Sequence, residues 1–215
     1  TRRASLPSDR VQRPEGPRCP VTECSDPKGL AAQPVQCSGT LASASVQRVL
    51  VAGSSGAGKS TLAAELSRRL ALPYTELDSL YHGPGWVPRP QFLDDVRALI
   101  AGERWVTEWM YAEARPMMLA RADTLVWLDL PRRTVMHRVL RRSVRRAVGR
   151  APIFNGNTES FRDWLDPEHP IRWAWTTHSR VAVRVWAAME QRPDLAVVRL
   201  ASPAEARRWL RQLPG

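Results

Sequence analysis

The chain has 215 residues, enough for one domain with a substantial core. Its 32 Lys and Arg against 21 Asp and Glu leave a formal net charge of +11, which favours polyanionic partners such as nucleotides or nucleic acid. No apolar run reaches the length of a transmembrane helix, and Arg2 and Arg3 are followed by no apolar segment of the secretory kind, so a cytoplasmic protein with no membrane partner is expected.

Residues 1–45 carry Pro7, Pro14, Pro17, Pro20, Pro27 and Pro34, many serines and no aromatic side chain. They show no apolar periodicity, so a disordered N-terminal tail is expected, with one domain spanning 46–215. Cys19, Cys24 and Cys37 all lie in that tail at a spacing that fits neither a zinc site nor a closed disulfide framework.

After the tail, short apolar runs alternate with helical patterns. A first strand is predicted at about 48–52, then a glycine-rich loop and a helix to about residue 70. Tyr74-Thr75-Glu76-Leu77 reads as a second strand ending at Asp78. Phe92, Leu93, Val96, Leu99 and Ile100 recur at helical spacing between Pro90 and Ala101. Trp105 to Glu108 is a third strand, 112–121 a helix, and Thr124 to Asp129 a fourth strand. A long helix is predicted from Arg132 to Val148, with Val135, Val139, Leu140, Val144 and Val148 on one side. Another follows from Ile171 to Glu190, then a fifth strand at Leu195 to Leu200. Pro203 opens the last helix, which runs to Leu210. Alternating strands and helices imply an α/β fold, with a parallel sheet covered on both faces.

The loop is the most specific signal. Gly53, Ser54, Ser55, Gly56, Ala57, Gly58, Lys59 and Ser60 complete the pattern G-x-x-x-x-G-K-[ST], followed by Thr61. It sits between an apolar strand and a helix, the context in which the pattern becomes a mechanism. Glycines let backbone N–H groups close around a polyphosphate, and the helix N-terminus adds unpaired donors. Lys59 can reach the β- and γ-phosphates of ATP, and the Ser60 hydroxyl can ligate Mg²⁺. Lys28 and Lys59 are the only lysines in the chain.

In open parallel sheets, ligands bind beyond the carboxyl ends of the strands. Asp78, Trp109 to Tyr111 and Asp129 all fall at such ends. Asp129 suits a carboxylate that helps hold Mg²⁺, or alternatively a cap on the following helix. Asp78 is placed to bind or deprotonate an acceptor hydroxyl, with the Gly/Pro-rich stretch 79–88 as an acceptor-side loop. The other reading makes Asp78 a helix cap beside a solvated loop. Trp109 stands near the same cleft.

Arg138, Arg141, Arg142, Arg145 and Arg146 share one helical face. Like charges stacked this way suit a lid over a nucleotide triphosphate, with Arg138, Arg142 and Arg146 delivered to the phosphates. A solvated basic face and nucleic-acid backbone binding are the alternatives. The lid is expected at about 141–165, with Gly149 to Asn157 as its mobile part. Trp105, Trp127 and Trp186 are expected in the core.

With these residues in place, the chain resembles the small P-loop kinases of the adenylate kinase and shikimate kinase type. It is most similar to bacterial adenylate-kinase-like proteins labelled DNA topology modulation proteins. The resemblance covers about 47–212. It is carried by the loop at 53–60, Leu77-Asp78, Gly85-Trp86, Trp105 to Glu108, Ala122 to Pro131 with its arginine-rich helix, and Asn155-Gly156-Asn157. It implies a three-layer P-loop NTPase sandwich whose five-stranded parallel sheet has the order 2-3-1-4-5. It also implies phosphoryl transfer from ATP with Mg²⁺ to a small acceptor, a nucleoside monophosphate or a small metabolite. On that reading Asp78, with Tyr111 and Arg115 nearby, orients the acceptor. Many relatives carry Gly-Asn-Tyr after the third strand, where this chain has Trp109-Met110-Tyr111. A nucleotide-dependent nucleic-acid-binding protein and an NTPase whose acceptor is water are the alternative functions.

Overall fold

The computed structural model describes residues 46–149 and 170–214. The expected tail at 1–45 and the greater part of the expected lid, from 150 to 165, lie outside the described residues.

Four parallel strands form the sheet: β1 (Arg48–Gly53), β2 (Trp105–Glu108), β3 (Thr124–Leu128) and β4 (Ala196–Leu200). Their order is β2-β1-β3-β4. This corrects the expected five strands in the order 2-3-1-4-5. The predicted second strand, Tyr74 to Leu77, is no strand. It touches β2 through a single parallel bridge, Tyr74 to Val106. Just beyond, the Leu77 backbone N–H donates to the Glu108 carboxylate at 3.2 Å rather than to a ladder partner. The chain then turns into a short helix, α2 (Leu77–Tyr81).

The registers bring all four strands to a common carboxyl edge, pairing Val51 with Glu108, Gly53 with Leu128, and Leu128 with Leu200. Asp123 secures the opposite edge by accepting from the Arg48 backbone N–H at 2.8 Å.

Side chains alternate across the sheet and fill two cores. Leu50, Ala52, Leu125, Trp127 and Val197 face one side, where α3 (Phe92–Ala101), α4 (Arg115–Arg121) and α6 (Pro170–Gln191) cover them. Val49, Val51, Val126, Leu128 and Leu200 face the other, under α1 (Lys59–Leu70), α5 (Arg132–Gly149) and α7 (Pro203–Gln212). Trp105 and Trp127 are buried in the first core, as expected. Trp186 is partly buried there and meets Trp127 edge to face at 6.1 Å. At the start of α7, Glu205 N–H donates to the Ser202 hydroxyl while the Glu205 carboxylate accepts from Ala201 N–H, a reciprocal cap.

Helix α5 differs from its expected stripe. Val135, Val139 and Ser143 are buried at i, i+4 and i+8, while Leu140 and Val144 are exposed. Val148 has its side chain outside the described residues. The buried line therefore runs along the steep i, i+4 ridge rather than the wider apolar arc. That rotation decides where the arginines point.

Candidate active site

The loop leaves β1 at Gly53 and enters α1 at Lys59. Two of its glycines take left-handed backbone angles that other residues rarely adopt, Gly56 at φ 79° and Gly58 at φ 99°. Gly56 also lies against α5: a Cβ there would sit 2.2 Å from Val139 Cγ2. The turn closes with Ala57 N–H donating to Ser54 O at 3.1 Å, and Lys59 Nζ donates to the same carbonyl at 3.2 Å. Lys59 thus folds over the loop it belongs to. Ser60 follows on the first turn, partly buried, and Thr61 is exposed.

Helix α5 places two of the expected arginines on this loop. Arg138 Nη1 donates to Ala57 O at 2.9 Å, and Arg142 Nη2 lies 3.4 Å from Ser55 Oγ. Arg141 is exposed, and the side chain of Arg146 lies outside the described residues. The arginine row therefore splits, with Arg138 and Arg142 turned to the loop beside the buried Val135-Val139-Ser143 ridge.

Three carboxylates stand at the carboxyl edge of the sheet, in very different surroundings. Asp78 lies in the first turn of α2, where the N-cap position is Glu76, so it does not cap that helix. Tyr111 Oη donates to Asp78 Oδ1 at 2.6 Å and lies 3.4 Å from His82 Nε2. Glu108 ends β2 and is 1% exposed. It accepts from Tyr74 Oη at 2.7 Å and from Leu77 N–H. Burial, then the Glu108 bond, raises the Tyr74 phenol far above its ordinary range, so it remains a donor.

Asp129 follows β3 and is committed elsewhere. Its Oδ2 accepts from Arg199 Nε at 2.7 Å and Nη2 at 2.5 Å, joining β3 to β4. The Arg199 guanidinium also lies over the Trp127 ring. The carboxylates whose charge acts on the loop lysine are instead Asp78 and then Glu108. Burial pulls the Lys59 ammonium below its ordinary value, while Asp78 and Glu108 push back and Arg142 and Arg184 add to the lowering.

Tyr111 has a left-handed backbone at φ 58°, one of two non-glycine residues so placed among the described ones. Such a conformation costs a bulky residue about 1–2 kcal/mol. Packing holds it there. The ring stacks on Tyr81 with centroids 4.1 Å apart and meets Phe92 edge to face at 5.0 Å. The Tyr111 carbonyl also accepts from the N–H groups of Ala114 and Arg115 as α4 begins. Trp109 is less free than expected of an acceptor contact: its indole N–H donates to Arg115 O at 3.2 Å, and its ring packs on the first core.

Two arginines, Arg115 and Arg184, lie close enough for their charges to interact. Arg115 is half-buried, has no salt bridge among the described residues, and burial lowers its guanidinium below the usual value. Arg184 on α6 is lowered by burial first and then by the positive charge of Arg115 and Arg180. Glu108 and Arg184 were not singled out from the sequence. For Glu108 the available signal was a carboxylate closing an apolar strand; for Arg184 there was none, since its neighbours come from other elements.

Among the described residues no cluster of three or more His, Cys, Asp or Glu could cage a metal ion. The donor set fits Mg²⁺ carried by phosphate oxygens, which needs only a hydroxyl and one or two carboxylates from the protein. Ser60 offers the hydroxyl at the start of α1, and the carboxylates at the same edge of the sheet are Asp78, Glu108 and Asp129.

No family model matches the chain, and no curated protein matches it. Solved structures do. Shikimate kinase from Acinetobacter baumannii in complex with shikimate aligns with a TM-score of 0.51 at 14% identity, covering 81% of this chain and 94% of that one. A sugar kinase from Janibacter sp. HTCC2649 aligns at a TM-score of 0.44 and 17% identity, covering 78% and 94%. A gluconokinase from Sinorhizobium meliloti 1021 aligns at 0.42 and 16%, covering 77% and 88%. The first of these shows a shared fold: a parallel α/β sheet with helices on both sides. At such identity the likeness is one of fold alone.

Proposed function

We propose that this protein is a P-loop kinase that transfers the γ-phosphoryl group of Mg·ATP to a hydroxyl of a small acceptor, a nucleoside monophosphate or small metabolite. The observation that carries the reading is the placement of Asp78. Its carboxylate holds a hydroxyl, that of Tyr111, at 2.6 Å, and its charge reaches Lys59. A hydroxyl-accepting carboxylate facing a phosphate-binding lysine is what phosphoryl transfer to an alcohol requires.

In this reading, residues 53–61 hold the nucleotide phosphates by backbone N–H groups, and Lys59 stabilises charge on the transferred group. Ser60 contacts the magnesium ion, with Glu108 behind it. Bound Mg²⁺ supplies charge neutralisation at the β- and γ-phosphates. Asp129 serves as an outer ligand only if Arg199 releases it. Arg138 and Arg142 leave the Ala57 carbonyl and Ser55 hydroxyl for the phosphates, and Arg146 joins them. Asp78 accepts the proton of the attacking hydroxyl. Arg115 and Arg184 provide positive charge at the far side, which favours an acceptor bearing a phosphate or carboxylate.

The nucleic-acid reading, suggested by likeness to DNA topology modulation proteins, is weaker. It needs the α5 arginines directed outward, and Arg138 and Arg142 turn inward. No described helix is long and apolar enough to cross a membrane.

The deciding experiment is incubation with Mg·ATP and a panel of nucleoside monophosphates, hydroxy acids and sugars, with ADP release measured. Acceptor-dependent release that Lys59→Ala removes establishes the activity. Equal ADP release with and without every acceptor points to hydrolysis instead, and no release at all sinks the reading.

A further inference from the structure

Tyr111 combines three features that packing alone does not require of one residue. Its backbone lies in the left-handed region at φ 58°. Its ring is clamped by Tyr81 and Phe92. Its hydroxyl, at the end of that clamped ring, donates to Asp78 Oδ1 at 2.6 Å. A phenol of ordinary or raised pKa is an alcohol-like donor, and it sits on the carboxylate oxygen that an acceptor hydroxyl needs. The charge of Asp78 also acts on Lys59, so on the kinase reading this carboxylate is the group that would activate a water molecule against a bound γ-phosphate.

We infer that the Tyr111 hydroxyl is a built-in surrogate for the acceptor hydroxyl: it occupies Asp78 until acceptor arrives, and so keeps water from being phosphorylated. This rests on the kinase reading above. Replacing one hydroxyl by another at Asp78 conserves the hydrogen bond, so an acceptor anchored by further contacts displaces the phenol, whereas water, with no such anchoring, competes poorly. Tyr111 is thus a specificity-determining residue that separates transfer from hydrolysis. It need not touch the transferred group.

In the side reaction that Asp78 would otherwise promote, the water oxygen forms a new bond to the γ-phosphorus while the bond to the β-bridging oxygen breaks. ADP leaves, and the water proton passes to Asp78. The surrogate blocks the last of these steps.

The test uses the full chain with Mg·ATP and no acceptor. Tyr111→Phe keeps the ring stack and removes only the donor. A hydrogen bond to a charged group holds against competitors by roughly tenfold or more, so ADP release in this variant should rise about tenfold. Binding of a fluorescent ATP analogue should be unchanged, and Asp78→Asn added to Tyr111→Phe should remove the gain. Tyr81→Phe preserves the stack and does not alter the Asp78 bond, so it should hydrolyse ATP as the parent does. Unchanged ADP release in Tyr111→Phe, with nucleotide binding intact, overturns the inference while leaving the kinase reading standing. A gain that survives Asp78→Asn overturns it too. Absence of Lys59-dependent nucleotide binding in the parent protein overturns both.

Discussion

Arg138 on α5 donates to the carbonyl oxygen of Ala57 in the glycine-rich loop, across 2.9 Å. A carbonyl is a weak partner for a guanidinium compared with a phosphate oxygen. On the proposed reading the contact would keep the arginine beside the anion it binds, at little cost to its release. Arg138→Ala should weaken ATP binding by roughly tenfold, the size of a lost charge-assisted hydrogen bond, and lower turnover further. Arg138→Lys should recover only part of both, because an ammonium cannot make the forked contact. Nucleotide titration and steady-state ADP release check this. Unaltered affinity and rate in Arg138→Ala would place the arginine in a purely structural role.

Lys59 gives a prediction that depends on pH. Burial leads the causes that lower its pKa in the folded chain, so the folded state binds this proton less tightly than the unfolded state. By linkage the group costs stability while charged, and stability is regained as pH rises through the lowered folded value toward the ordinary lysine range. Its amine should accordingly become nucleophilic at lower pH in the folded protein than in the chain unfolded by urea. Acylation followed residue by residue by mass spectrometry over pH 7 to 11 reads this directly. Mg·ATP should suppress the labelling. A folded profile at or above the unfolded one would show that Asp78 and Glu108 outweigh burial.

The parts of this fold visible in the sequence are those set by local pattern. The loop, the helix behind it and the four strands that form the sheet follow from glycine placement and apolar runs. The parts that were not visible depend on distant partners. Tyr74 to Leu77 has the composition of a strand, yet Leu77 N–H goes to Glu108, 31 residues later, and the ladder stops. Asp129 looks like a metal ligand until Arg199, 70 residues away, claims it. On α5, every apolar residue on the expected side looked equally suited to the core, and only packing against Gly56 selects Val139 while leaving Leu140 outside. Asp78, Tyr111 and Arg115 were placed together from motif order alone, and the structure brings Tyr111 onto Asp78 directly.

The Asp129–Arg199 pair allows a metal role for Asp129 to be tested against the one proposed for Glu108. Both side chains are partly exposed, so the pair should contribute only about 1 kcal/mol. Asp129→Asn should lower the melting temperature by roughly 2–4 °C, as expected for a domain of this size, and change turnover less than twofold. Arg199→Ala should cost more, since it also loses the cation–π contact with Trp127. Glu108→Gln should show the opposite balance, with turnover falling by about a hundredfold or more. If instead Asp129→Asn abolishes activity with melting unchanged, the magnesium role returns to Asp129.

Gly56 is where loop conformation and helix packing meet, and the two contributions can be separated. Its φ of 79° disfavours any side chain, and a Cβ would also strike Val139 Cγ2 at 2.2 Å. Gly56→Ala should therefore destabilise by about 2–4 kcal/mol, summing a left-handed penalty and an overpacking penalty. Val139→Ala alone removes buried methyl groups and should cost about 1–3 kcal/mol. In the double variant the clash with Cγ2 is gone, and the contacts that remain are Val135 O at 3.3 Å and Val139 Cβ at 3.4 Å. The double variant should then be more stable than the sum of the single losses by about 1–2 kcal/mol, a coupling measurable by urea unfolding. The backbone penalty persists, so nucleotide binding should remain impaired even where stability is partly restored. Strict additivity would mean that the loop, rather than Val139, moves to admit the methyl group. α5 would then not be held against the loop at this point, and the approach of Arg138 to Ala57 would need another cause.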